Sequence, residues 1–257
     1  MSTLLGPDGH PLDSAPGQTL TDHLSELRDR LIKCAYGILI MAVVSWNFAD
    51  RILEKMTAPI QKYLPNGKLI FLSPTDMFMA HIKITMMAAV ILSCPIWIFQ
   101  LWKFIAPGLY AHEKKYSLLF IGSGVGLFLV GCSFCYFLVL PAALQFLLTF
   151  GGSVGQAMIT LSEYLSFFVT MILVFGAAFE MPLVIVILGL FGIVDQKFLR
   201  EKRRYAVVIL AIVAAIVTPP DIMSMLMLLV PLYVLYECSI IVVGITGRRK
   251  APEDSRV

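Results

Sequence analysis

The chain has 257 residues, 58% of them apolar and 14% charged, with a mean hydropathy of +0.84 and a net charge of +3. A soluble domain averages about 45–50% apolar and about 25% charged residues, so this composition excludes a surface that faces water on all sides and points to lipid as solvent. The five cysteines form no zinc pattern or disulfide framework; Cys34, Cys94, Cys132 and Cys135 sit inside apolar runs, and Cys238 lies near the end of the last one, where thiols act as small hydrophobes.

Residues 1–20 are polar and rich in turn formers (Gly6-Pro7-Asp8-Gly9, Pro11, Pro16-Gly17), which predicts a flexible tail without a cleavable signal peptide. The first apolar run is then its own insertion signal. Ahead of it, Leu24, Leu27 and Leu31 fall on one helical face, predicting an amphipathic surface helix with Thr21 and Asp22 as caps. Six apolar segments follow, at 31–49, 77–100, 116–140, 164–190, 205–217 and 222–245. Most approach or exceed the ~20 residues that cross a ~30 Å hydrocarbon core, and continuous rather than alternating apolarity argues for helices over a barrel. The expected fold is therefore all-α, a polytopic membrane protein with six transmembrane helices and no internal repeat. Its helical domain covers 21–246, followed by a basic tail at 247–257.

Between the first two spans, Ile52, Leu53, Met56, Ile60 and Leu64 share a face interrupted by Pro59, predicting a segment that lies on the membrane surface. The loop after span three is expected to start at Pro141 with an apolar stretch, 142–150, too short to cross alone. These two segments could cap the outer side. In span five, only 206–217 separates Arg203-Arg204 from Thr218-Pro219-Pro220-Asp221. That is about 18 Å of helix, so spans five and six form a shallow hairpin, or the helix begins earlier with Lys202–Arg204 snorkelling.

Charge sets the orientation. Fifteen lysines and arginines flank the spans on the side of the two termini, against four on the other (Arg51, Lys55, Lys62, Lys68), so both termini are expected in the cytoplasm. No His-Glu-x-x-His, phosphate loop or Gly-x-Ser-x-Gly is present, and the four histidines are scattered, so an enzyme is not supported and no cofactor or metal is expected.

Ionisable residues inside spans are costly and usually functional. Glu180 lies deep in span four, next to Pro182; it either lines a polar groove or is a neutral carboxyl that ties helices together. Lys83 and Asp76 lie near the outer end of span two, where they can snorkel, and Glu237 near the inner end of span six serves packing, topology or binding. Glu26 and Glu113 are acids on a face dominated by cations. They either pair locally, Glu26 with Arg30 and Glu113 with Lys114, or receive a basic ligand.

Several motifs occur in order: His23-Leu24-x-Glu26-Leu27-Arg28-x-Arg30; Ala58-Pro59; Ser93-x-Pro95; Gln100-x-Trp102-x-Phe104-x-x-Pro107-Gly108-Leu109; Glu113-Lys114; Ser162-x-Tyr164; Phe175-Gly176-x-x-Phe179-Glu180-x-Pro182; Arg203-x-Tyr205; Thr218-Pro219-Pro220-Asp221; and Glu237. In this combination the chain resembles the TatC family, the multispanning subunit of the twin-arginine protein translocase, from about residue 21 to 243. The resemblance implies a concave bundle in the bacterial inner membrane. It implies a receptor for the twin-arginine signal peptides of folded precursors, working with single-span TatA/TatB-type subunits, self-associated, in contact with membrane lipids and driven by the proton-motive force. No nucleic acid is involved. By resemblance, Glu26 and Glu113 bind the signal with Phe104 nearby, supported by Leu27, Arg28, Arg30, Pro59, Glu180 and Asp221. Two carboxylates suit two guanidinium groups, each held by a fork of hydrogen bonds that lysine cannot make. Phe104 and Trp102 could pack on the apolar part of the peptide. Some relatives carry a polar residue early in span six for partner docking; here Met223, Met225 and Met227 stand there, leaving Thr218 and methionine packing. The alternative function is a secondary transporter or channel with Glu180 as the coupling carboxylate.

Overall fold

The computed structural model describes residues 20–64, 69–105, 117–150, 158–218 and 222–248. Among these the chain forms helices joined by turns and short loops, with one isolated bridge between Ile70 and Thr160. The first helix, α1 (Leu20–Trp46), is unbroken, so the stretch expected to lie on the surface ahead of span one is instead the start of that span's helix.

After Trp46 the chain turns by 85° into α2 (Ala49–Gln61). Ala49, Thr57 and Ile60 of α2 are buried, and Ile52, Leu53 and Met56 pack on the core beside them, while Arg51, Glu54, Lys55 and Gln61 are exposed. The apolar side thus rests on protein. Pro59 sits inside α2 and has no N–H for the carbonyl of Lys55, four residues back. The Tyr136 hydroxyl donates to that carbonyl at 3.0 Å, and the Tyr164 hydroxyl donates to the Met56 carbonyl at 2.6 Å. Two tyrosines from the bundle therefore fasten the proline-weakened turn. The Ile70 N–H bonds the Ile159 carbonyl, and the Leu161 N–H bonds the Ile70 carbonyl in return, so the segments around Ile70 and Ile159 are joined and, with α2, cap this end.

Span two is a bent pair. α3 (Asp76–Leu92) and α4 (Cys94–Ile105) meet at 54° around buried Ser93. Pro95 cannot donate to the turn before it. The Val90 carbonyl at the elbow accepts from Ser93 Oγ and Trp97 Nε1, each at 3.2 Å. Asp76, the first residue of α3, accepts from the N–H groups of Leu72 and Ser73 and so fastens the preceding loop to the start of the helix.

α5 (Ser117–Phe134) passes through a wide π turn, Cys135–Val139, into α6 (Leu140–Phe150). The helix does not end at Pro141 as expected. In a regular helix the Pro141 ring would crowd the carbonyl four residues back, and the wider turn accommodates it. α7 (Leu161–Phe179) and α8 (Met181–Leu190) flank Glu180. Past α8, Gly192 takes φ +73° and the Ile193 N–H reaches back to Leu188, a left-handed helix stop. The short α9 (Gln196–Glu201) is capped by Asp195 and leads into α10 (Arg203–Val217) and α11 (Ile222–Arg248).

α7 is the centre of the bundle, packed on α3 and α5 and touching α11. α1 covers α3 and α4; α8 lies on α11; α10 rests mainly on α11 at the edge. Glycine sets the closest approach: a Cβ at Gly131 would lie 2.6 Å from the Phe175 carbonyl oxygen, so α5 and α7 meet almost backbone to backbone. Among the described residues, three stretches, Leu118–Thr149, Leu161–Leu190 and Ile222–Ile245, are long and apolar enough to cross a membrane alone, and the two bent pairs are so when each is taken together. α10 has 15 residues, about 22 Å of helix. It starts two residues before the expected 205–217 span and remains shorter than a bilayer core.

Candidate functional site

The capped end is opposite the end where α1 begins and α4 finishes. There, Ser25, Glu26, Asp29, Arg30 and Lys33 of α1 face Gln100 and Lys103 of α4 across a cleft of ≈ 430 Å³. The i,i+4 spacing puts Glu26 and Arg30 on one helical face. Arg30 donates to Glu26 Oε1 from both Nε, at 3.1 Å, and Nη2. The pair is half-buried, with side-chain exposures of 17% for Arg30 and 29% for Glu26, unlike the exposed Arg28–Asp29 contact at 3.2 Å beside it. The local-pairing reading of Glu26 therefore holds, and its carboxylate nonetheless lines a cleft. Leu27 is half-buried and Arg28 is exposed.

Phe104 is half-buried near the end of α4. Trp102 is buried and stacks on Phe120, with ring centroids 4.6 Å apart, so it packs α4 against α5. Glu113 and Asp221 lie outside the described residues. Sequence reasoning did not pick out Asp29, Lys33, Gln100 or Lys103 as parts of this cleft. For Gln100 the signal was its place at the head of the Gln100-x-Trp102-x-Phe104 motif.

Glu180 sits half-buried at the junction of α7 and α8, and its Oε1 is buried without a hydrogen-bond partner among the described residues. A Cβ at Gly124 of α5 would lie 3.4 Å from Glu180 Oε2, with Ile98 and Leu183 close by. The carboxyl therefore points inward, towards α5, at a place where α5 has no side chain. Glycine 124 is the partner that the sequence alone did not reveal.

The remaining predicted residues serve the frame. Pro59 is the break in α2 that Tyr136 and Tyr164 fasten. Glu237 accepts from Arg203 Nη2 at 2.6 Å and from the Tyr233 hydroxyl at 3.1 Å, so it ties the first turn of α10 to α11. Thr218 is buried and its hydroxyl donates to the Ala214 carbonyl at 2.8 Å; it closes α10 and presents no polar group outward. Met225 packs half-buried against the core. Lys83 does not snorkel to an interface: its ammonium donates to the Ser162 carbonyl, Ser162 Oγ and Ser166 Oγ, at 3.3, 3.0 and 2.7 Å, clamping α3 to the start of α7.

The profile of the TatC family, described as Sec-independent protein translocase protein, matches residues 22–231. The Sec-independent protein translocase protein TatC of Helicobacter pylori strain 26695 is 41% identical over 238 residues, 93% of this chain and 91% of that protein. The same-named proteins of Desulforapulum autotrophicum and Escherichia coli K12 are each 37% identical, over 91% and 87% of this chain and 87% of each of those proteins. A crystal structure of the twin-arginine translocase receptor TatC superposes with a TM-score of 0.77 at 37% identity, over 88% of this chain and all of that one. A second, in the detergent DDM, gives 0.78 over 86% of this chain and 99% of its own.

Proposed function

This chain belongs to the TatC family of translocase components, and from that premise we propose that it binds twin-arginine signal peptides of folded precursors through the cleft at Glu26. As a TatC protein it is a membrane-embedded subunit of the twin-arginine translocase and has a transport role rather than an enzymatic one. The finer reading is that Glu26 takes one arginine of the signal and Glu113 the other. Membership of a family with a solved twin-arginine translocase receptor supports this, and so does a carboxylate that already accepts from two nitrogens of one guanidinium in a cleft. That pairing is the observation that carries the reading, because it is the contact that a ligand arginine would make.

The orientation follows from charge: the Glu26 end lies in the cytoplasm, with both termini, and the α2 cap lies on the outer side of a bacterial inner membrane. α10 is the sixth, shallow span. Transport is driven by the proton-motive force, with single-span TatA/TatB-type subunits and further copies of this chain as partners. Glu180 belongs to the groove along which the rest of the signal lies. Family membership displaces the alternative of a secondary transporter coupled through Glu180.

The test is photo-crosslinking of a twin-arginine precursor and its twin-lysine counterpart to the full chain in membranes. The twin-arginine precursor should crosslink well above the twin-lysine one, and Glu26→Ala and Glu113→Ala should each weaken the signal at unchanged amounts of folded protein. Unchanged crosslinking in both variants removes these residues from the site.

A further inference from the structure

One face of α10 carries two kinds of surface. Val208, Ile209, Ile212, Val213 and Ile216 are exposed, since the helix rests mainly on α11 at the edge of the bundle. At the head of this apolar stripe stand a cation and an aromatic ring. Arg204 lies one helical turn before Val208, and Tyr205 one turn before Ile209, so each shares its side of the helix with an apolar residue about 6 Å further along. The Tyr205 ring is exposed and gathers two charges: Arg204 Cζ lies 5.0 Å from its centroid and Lys202 Nζ 5.4 Å. The surrounding backbone is fixed. Asp195 accepts from the Phe198 N–H at 2.6 Å, buried Leu199 accepts at its carbonyl from the Tyr236 hydroxyl at 2.8 Å, and Glu237 holds Arg203. On that frame Lys197, Arg200, Lys202 and Arg204 are exposed, with one acid, Glu201, among them.

Cations at the head of an exposed apolar stripe match the shape of a phospholipid, charged at one end and apolar along its length. We propose that the corner formed by α9 and the first turn of α10 is a binding site for an anionic phospholipid. The phosphate lies against Arg204 and Lys202, the Tyr205 ring sits beside it at the interface, and an acyl chain follows Val208 and Ile212. The excess of cations selects a headgroup of net negative charge over a zwitterionic one, whose own ammonium would face the same cations. The site is separate from the Glu26 cleft and does not depend on the reading of that cleft; it requires only a membrane-embedded chain. A bound headgroup also sets the depth of the helix. α10 is about 22 Å long, so with its first turn pinned in the headgroup layer its far end stops within the hydrocarbon core, and the mismatch is taken up around Thr218.

The experiment uses the full chain in phosphatidylcholine nanodiscs that hold a trace of photoreactive phosphatidylglycerol or, in a parallel sample, of photoreactive phosphatidylcholine. After illumination, mass spectrometry of the digested chain locates the label. Phosphatidylglycerol should label residues 203–217 at least fivefold more than phosphatidylcholine does, since one cation near an anionic headgroup corresponds to a factor of about five. Arg204→Gln should lower that preference about fivefold, and Lys202→Gln added to it should lower it further. Both side chains are exposed, so neither change disturbs the packing of the bundle. Arg51→Gln with Lys55→Gln, an equal loss of exposed charge on α2 at the opposite end, should leave the preference unchanged. Equal labelling by the two lipids overturns the proposal and leaves these cations to an acidic protein segment. A preference that survives in the Arg204→Gln, Lys202→Gln chain overturns it as well, and so does an equal fall in the α2 variant, since net charge rather than this corner would then attract the lipid.

Discussion

Substituting Gly131 by alanine tests the central contact of the bundle. The new Cβ would lie 2.6 Å from the Phe175 carbonyl oxygen and 2.9 Å from Phe179 Cβ, where ordinary contact begins at 3.4 Å. The shortfall to the oxygen is roughly 0.8 Å, and the obstructing atom is backbone, so relief requires α5 and α7 to move apart. Overpacking of this kind costs about 1–3 kcal/mol. Against it stands the gain of about 1 kcal/mol from replacing glycine in a helix interior. Gly126→Ala separates the two effects: a Cβ there meets nothing within 4 Å, so it carries the propensity gain alone. The comparison between the two variants therefore isolates the steric cost. At about 2–4 °C per kcal/mol for a chain of this size, Gly131→Ala should unfold several degrees below Gly126→Ala. Loss of helical circular dichroism in one detergent at one scan rate measures it. Equal midpoints for the two variants would refute the close approach of α5 and α7.

Tyr164→Phe removes a part-buried hydrogen bond to the Met56 carbonyl and should cost about 0.5–1.5 kcal/mol; Tyr136→Phe, nearer water, should cost less, and a reversed order in thermal unfolding would contradict the account of the cap. The Arg203–Glu237 pair is half-exposed, so a double-mutant cycle with Arg203→Ala and Glu237→Gln should give a coupling below about 1 kcal/mol; a coupling well above that would mean the pair is shielded from water. A cysteine at position 180, in a chain without the five native ones, should react with a small water-soluble thiol reagent; complete inertness in folded protein would make Glu180 a packing residue.

Hydropathy located the helices because each apolar run has to be covered, by lipid or by another helix. It located their bends less well. Pro95 and Pro182 lie beside the two junctions in spans two and four, and Pro59 marks the weak turn of α2, all readable from the missing N–H. Pro141 misled for the same reason: a proline after a long apolar run reads as a stop, and nothing in the sequence announces a π turn that lets the helix continue. The pairing of Glu26 with Arg30 was legible from four-residue spacing. The cleft was not, because Gln100 and Lys103 meet α1 only through the fold. Lys83 shows the same limit from the other side. Its partners, Ser162 and Ser166, are some eighty residues away, and the sequence marks neither as an acceptor.

The π turn at Cys135–Val139 also sets a rotational phase. In it the Leu140 N–H bonds to Cys135, five residues back, so the turn takes in one residue more than a regular helix would. One residue is about 100° of rotation. Everything in α6 inherits that offset. With it, Ala143 and Leu144 are turned to the interior and Gln145 to the outside. Remove one residue from the wide turn, and Leu144 and Gln145 would rotate into the places of Ala143 and Leu144. A polar amide would then sit in the buried seat now filled by a leucine. The rotational register of α6 on the bundle is thus held by a single surplus residue in the turn before it.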